Sequence, residues 1–233
     1  MKIKRFSFEK LFRIIRNSLF KEEEVSKDKE QKIIDDFHKL FYNSKSFDST
    51  WMGTEIGKYP NDLLIYQDII YSTKPDVIIE CGTDKGGSAL FFANLFDIIG
   101  KGKVITIDID NKNPPQHKRI TYFVGSSTSE KIVKKVKEQV QGKKVMVVLD
   151  SDHDKGNVLK ELNLYNNLVS DECYLVVEDT NINGHPVYKT FGAGPMEALK
   201  EFLKDNDNFE IDKNCGKFLI TSNPNGYLKR RKK

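Results

Sequence analysis

Apolar residues in this chain follow two alternating spacings from about residue 60 onward. Short, nearly continuous apolar runs recur at Asp76–Glu80, Lys103–Asp108, Ile120–Val124, Lys144–Asp150 and Tyr174–Glu178. Such runs, closed by glycine or acidic residues, read as buried strands. Between them the apolar residues fall three and four apart, over Ser88–Ile98, Ser129–Val140 and Asn157–Leu168, which predicts helices. Strands alternating with helices imply an α/β fold, with a mostly parallel sheet covered by helices on both faces. A helix over Pro195–Lys204 then precedes Phe209–Ile211 and Lys217–Thr221, parted by a turn containing Asn214 and Gly216. This last pair predicts an antiparallel edge hairpin and brings the sheet to seven strands.

Pro60-Asn61-Asp62 reads as a helix start, continued by Leu63, Leu64, Tyr66, Ile69 and Ile70. Upstream, Phe8, Leu11, Phe12, Ile15 and Leu19 share one helical face, with Lys10, Arg13 and Arg16 between them. That basic amphipathic helix suits packing on the domain or a second subunit, with a peripheral membrane contact through residues 6–20 as the alternative. A charged stretch from Lys21 leads into a second helix through about Tyr42, and Asn43–Thr50 is polar and loop-like. With no repeat or long linker, the chain reads as a helical extension, residues 1–49, and one α/β domain, residues 50–233.

Composition agrees with a sizeable core, since 38% of the 233 residues are hydrophobic and 31% charged. No apolar run approaches a membrane span and no secretory leader is visible, so a cytoplasmic location is expected. Cys81, Cys173 and Cys215 are far apart in sequence and read as reduced, packed thiols. The net charge of +4 is unevenly spread. Residues 2–21 carry +6 and the tail Lys229–Lys233 carries +5, which leaves −7 for the middle. An acidic fold argues against nucleic acid as the substrate.

Candidate chemistry begins in the loop after the first strand of the regular pattern, Glu80-Cys-Gly82-Thr83-Asp-Lys-Gly86-Gly-Ser88. Its glycines permit a tight turn and bring a ligand close to backbone amides at a helix start. A dinucleotide loop would read G-x-G-x-x-G to accommodate pyrophosphate. Here an acid closes the strand, which would repel phosphate but suit an ammonium and hydroxyls. S-adenosylmethionine has both and no phosphate, so it is favoured over NAD. Asp108, at the end of the next strand, is placed to accept ribose hydroxyls.

Further acids close the next strands of the sheet: Asp150-Ser-Asp152-His153-Asp154 and Glu178-Asp179. Ligand sites in such sheets form outside the carboxyl ends of strands, and neighbouring strands lie about 4.8 Å apart. Converging carboxylates repel unless a cation sits among them, and hard oxygen ligands suit Mg²⁺. Asp150, Asp152, Glu178 and Asp179 are therefore candidate metal ligands, and His153 a candidate base toward a hydroxyl. The plainer reading has Asp152 and Asp154 capping the next helix and Glu178-Asp179 as a solvated strand end.

The strings WMGTEIGKYPND, IIECGTDKGGSALFFA, VITIDID, LDSDH, YLVVEDT and SNPNGYLKR resemble the cephalosporin hydroxylase family. Despite its name, that family comprises S-adenosylmethionine methyltransferases and includes rhamnosyl O-methyltransferases of glycolipids. The likeness covers about residues 50–230. It implies a Rossmann-like methyltransferase fold, Mg²⁺ and a homo-oligomer. It further implies cofactor contacts from Glu80, Gly82, Ser88 and Asp108, with Ser126 or Ser127 near the adenine, and metal contacts from Glu178 and Asp179. The third ligand stays open between Asp150, the position used by the more distant catechol O-methyltransferases, and Asp152. His153 stands where those enzymes keep a catalytic lysine.

These readings converge on an O-methyltransferase acting on a hydroxyl of a glycan or small molecule, with Asp150 and His153 at the reacting centre. The segment Asn181–Pro195, with His185, Tyr188 and Phe191, suits an acceptor pocket or a packed loop. An NAD-type oxidoreductase and a non-catalytic binding protein on the same fold are the competing readings.

Overall fold

A computed structural model describes residues 25–44 and 49–232. The predicted helix over residues 6–20 lies outside the described residues. The chain forms two compact units, residues 1–37 and 38–233. The described part of the first is the opening of helix α1, Lys27–Asn43, whose buried residue, His38, belongs to the second. The end of α1 thus goes with the α/β unit, a boundary twelve residues before the 49/50 division read from sequence.

In the second unit a hairpin of β1 (Thr50–Trp51) and β2 (Thr54–Glu55) leads into α2 (Pro60–Thr73). Its turn residues Met52 and Gly53 sit at φ 48° and 83°, the left-handed pair that a two-residue hairpin turn demands. The elements β3 (Val77–Cys81), α3 (Gly87–Ile99), β4 (Lys103–Asp108), β5 (Ile120–Val124) and α4 (Glu130–Val140) follow. Next come β6 (Val145–Leu149), α5 (Lys155–Tyr165), β7 (Tyr174–Val177) and α6 (Pro195–Phe202), then β8 (Phe209–Ile211) and β9 (Tyr227–Arg230). The seven-stranded sheet has the order β5-β4-β3-β6-β7-β9-β8, with β3 to β7 parallel and β9 antiparallel to both its neighbours.

Strand side chains alternate between faces, so each strand feeds two cores. Ile79, Ile107, Val147 and Leu149 pack with Val136, Leu162 and Leu199 of α4, α5 and α6. Ile78, Val104, Met146 and Val148 pack with Ile70, Phe92 and Phe96 of α2 and α3. All three cysteines are buried free thiols. Among the described residues, no helix is long and apolar enough to cross a membrane.

One strand is not where the sequence pattern places it. The edge hairpin pairs β8 with Tyr227–Arg230, and Lys217–Thr221 is irregular. In that segment Phe218 and Leu219 stay exposed, Leu219 has a φ of 70°, and Thr221 and Ser222 hydrogen-bond to Asp62. The apolar run is therefore used to reach a buried carboxylate rather than to build a ladder. The terminal cluster of basic residues is likewise no free tail at its start. Lys229 and Arg230 lie in β9, and Arg230 is buried, donating to the Asn166 carbonyl at 2.8 Å and stacking over Phe209 at 5.5 Å.

Candidate active site

Strand parity gathers the acids. Ile78, Met146, Val148 and Val176 face the α2–α3 side, so Glu80, Asp150 and Glu178, each an even number of residues on, continue that face. The pairing Leu149↔Val177 brings Asp150 beside Glu178 at neighbouring strand ends. Into this side comes Lys58, the residue before the α2 N-cap Tyr59. The hairpin just before it is pinned by Trp51, which donates to Asn94 Oδ1 at 2.8 Å and meets Phe91 edge-on at 4.9 Å.

Lys58 is only 4% exposed and forms ion pairs with Asp150 and, at 3.1 Å, with Glu178 Oε1. Burial opposes its charge, but Asp150 and then Glu178 outweigh that and hold its pKa above the ordinary lysine range. Glu178 Oε1 also accepts from the Tyr66 hydroxyl. Burial pushes the Asp150 and Asp179 carboxyls up, against the pull of Lys58 on the first and His153 on the second.

Asp179 has a φ of 53°, a left-handed backbone that needs support. Its N–H donates to Asn223 Oδ1 at 2.9 Å, and His153 Nε2 lies 3.1 Å from its Oδ2. Asp150, His153 and Asp179 each offer a ligand atom, all within 4.8 Å of one another. Two carboxylates, with a third behind them, fit a small divalent cation, and the imidazole stands beside them. Glu178 stands outside that trio, 1% exposed and engaged by Lys58 and Tyr66. Asp152 is exposed and its Oδ1 accepts the Asp154 N–H at 3.1 Å, while Asp154 caps α5 through Gly156 N–H at 2.8 Å.

A cavity of about 600 Å³ opens in front of these groups, lined by Gly82, Thr83, Ser88 and Asp108 together with Asp150 and His153. Gly82, at φ 100°, has room for no side chain: a Cβ would lie 1.8 Å from the Asp150 carbonyl oxygen. Gly86, at φ 83°, caps α3 and packs on Pro114. Asp108 ties the loop down, its Oδ2 accepting the N–H groups of Thr83 at 2.9 Å and Asp84 at 2.8 Å. Glu80 lies behind the lining, fully buried, and accepts from Thr106 Oγ1 at 2.6 Å; Thr106 in turn meets Thr83 Oγ1 at 2.7 Å. Burial raises the Glu80 carboxyl to about 6, against Ser88 and Thr106.

Ser126 and Ser127 also line the cavity. Ser127 and Ser151 both donate to Glu161 Oε1, the latter at 2.6 Å, and Tyr165 donates to the Ser127 carbonyl at 2.7 Å. In the Asn181–Pro195 segment, His185 pairs with Glu197 at 2.8 Å and Asn181 meets His38 at 3.1 Å, so these two are packing contacts. Tyr188 is half-exposed at φ 45°, with Phe191 at 5.4 Å and Tyr42 at 6.4 Å between ring centres.

Lys58, Tyr66, Glu161 and Asn223 were not among the expected site residues. Lys58 and Asn223 stand inside the strings WMGTEIGKYPND and SNPNGYLKR, but a lone lysine or asparagine ordinarily reads as solvated or as a turn.

The chain is similar to known proteins over most of its length. The family model described as Rhamnosyl O-methyltransferase/CmcI matches residues 43–231. A rhamnosyl O-methyltransferase of Mycobacterium bovis is 38% identical over 207 residues, covering 84% of each chain. One from Mycobacterium leprae is 38% identical over 209 residues, covering 85% of this chain and 91% of its own. A solved CmcI structure described with Mg and SAM superposes with a TM-score of 0.61 at 21% identity, over 82% of this chain and 79% of that one. That likeness supports the fold, and the sequence matches fix the membership. The chain belongs to the Rhamnosyl O-methyltransferase/CmcI family.

Proposed function

We propose that this chain is an S-adenosylmethionine-dependent, magnesium-assisted O-methyltransferase acting on a hydroxyl of a sugar, carried by a glycolipid or a hydroxylated small molecule. The observation that carries this reading is one cavity lined both by the glycine loop with Asp108 and by Asp150 with His153. Membership in the family and the mycobacterial rhamnosyl O-methyltransferases among its relatives support the acceptor class.

The loop from Gly82 to Ser88 would hold the methionine portion of the cofactor against backbone amides. Asp108 would receive the ribose hydroxyls, and Ser126 and Ser127 would flank the adenine. Glu80, behind Thr83, orients that wall through Thr106. Asp150 and Asp179 would hold the metal, with Glu178 and Asp152 as the remaining ligand candidates. When bound, magnesium would supply a Lewis acid that lowers the acceptor hydroxyl's pKa and orients it. His153 takes the hydroxyl's proton, and Asp179, 3.1 Å away, stabilises the resulting imidazolium.

On the acceptor side, a second cavity of about 310 Å³ is lined by Tyr42, Val187 and Tyr188. Burial, then the charge of Asp179, raises the Tyr42 hydroxyl's pKa. Aromatic faces of this kind suit the apolar face of a pyranose ring. Self-association, a cytoplasmic location and membrane contact through residues 6–20 belong to the same proposal and rest on sequence.

Labelled S-adenosylmethionine with Mg²⁺ and methyl α-rhamnopyranoside should give a methylated sugar. Calorimetry should show S-adenosylhomocysteine binding at about −8 kcal/mol and none for NAD⁺. Binding of NAD⁺ without the homocysteine analogue would favour the oxidoreductase reading instead.

A further inference from the structure

The acid cluster holds a cation of its own. Lys58 reaches it from outside the sheet, is 4% exposed, and bridges Asp150 and Glu178. Tyr66 donates to the same Glu178 oxygen. The two contacts engage Glu178, and the Asp150–His153–Asp179 trio shares one 4.8 Å neighbourhood of ligand atoms without it. Without Lys58, three carboxylates would converge at these strand ends with no ammonium among them. Like charges so placed in a partly buried cluster repel, and removing the partner of the buried Glu178 is costly.

We propose that the Lys58 ammonium is the built-in counter-ion of this cluster. It holds Asp150 and Glu178 together before a metal arrives, and it weakens the cluster's affinity for a divalent cation. The proposal rests on the metal reading above and adds a residue that tunes it. The physical reason is Coulombic: a fixed positive charge among the ligands repels an incoming cation, and at contact range even strong screening leaves a repulsion worth more than about tenfold in affinity. A site tuned this way would exchange its metal readily.

The test is Mn²⁺ titration by calorimetry on the full chain after chelation, with melting in EDTA alongside. Lys58→Met should melt at a lower temperature without metal and bind Mn²⁺ at least about tenfold more tightly than the parent chain. Lys58→Arg, which keeps the charge, should bind Mn²⁺ within about threefold of the parent. Lys58→Gln, which keeps a hydrogen-bond donor, should also tighten binding and keeps the test open if Lys58→Met does not fold. Uncharged variants that bind Mn²⁺ no more tightly than the parent, or Lys58→Arg binding as tightly as they do, overturn the proposal. A parent chain that binds no Mn²⁺ overturns the metal reading itself, and this inference with it.

Discussion

Asn223 fixes the backbone of Asp179: its Oδ1 accepts the Asp179 N–H at 2.9 Å, where the Asp179 φ is 53°. Asn223 is fully buried, and it also receives the Ser222 hydroxyl at 3.0 Å. A loop at the far end of the sequence thereby holds an acid at the end of β7 in a conformation it would not adopt alone.

Asn223→Ala should therefore release Asp179. Turnover should fall roughly 10- to 100-fold, the range for partners that orient metal ligands, with S-adenosylhomocysteine affinity nearly unchanged. Steady-state kinetics and calorimetry on one preparation check both. Equal losses in turnover and cofactor affinity would mean that the loop acts on the whole fold instead.

The sheet was legible because its parallel strands are nearly continuous apolar runs, and β3 to β7 fall where those runs do. The glycine loop and the acids at strand ends were legible because their chemistry is unusual in sequence. The edge hairpin was misread because Lys217–Thr221 looks like a strand locally, while Asp62, some 160 residues away, takes the hydroxyls of Thr221 and the adjoining Ser222. Lys58 was invisible for the same reason: only the folded chain brings a lysine 92 residues from Asp150 into contact with it. Long-range pairing of ordinary residues leaves no local signature.

Gly82 is the tightest point of the cofactor loop. Gly82→Ala places a methyl group within 1.8 Å of the Asp150 carbonyl at a φ of 100°, so either the loop or β6 must move. Denaturant unfolding should show a loss of about 2 kcal/mol or more, and S-adenosylhomocysteine binding should drop sharply. Unchanged binding would remove the loop from the cofactor site.

Glu197 gives a pH signature. Burial raises its carboxyl, but the Gly194 amide, His185 and Asn183 together outweigh burial and lower it from the ordinary 4.5 to about 2. A depressed carboxylate pKa adds stability that is present above about pH 4.5 and lost as pH falls toward 2. Glu197→Gln should lower stability at neutral pH by about 2 kcal/mol and flatten the acid limb of the stability curve. Parallel acid limbs for the two proteins would contradict this.

Asp150 and Asp152 can be told apart. Asp150 belongs to the trio with His153 and Asp179, whereas Asp152 is exposed and accepts the Asp154 amide. Asp150→Asn should abolish Mn²⁺ binding seen by calorimetry. Asp152→Asn should change it less than about threefold and leave stability within about 0.5 kcal/mol, because the asparagine Oδ1 still accepts the Asp154 N–H. The reverse order would make Asp152 the third ligand.

Metal dependence of methyl transfer tests the central claim most directly. Transfer from labelled S-adenosylmethionine to a rhamnoside should be lost in EDTA and restored by Mg²⁺ or Mn²⁺. Asp179→Asn should lower turnover at least about 100-fold, roughly 2.7 kcal/mol, while cofactor affinity holds. Full activity in EDTA, together with full activity of Asp179→Asn, would contradict the account and leave a methyltransferase that works through His153 and proximity alone.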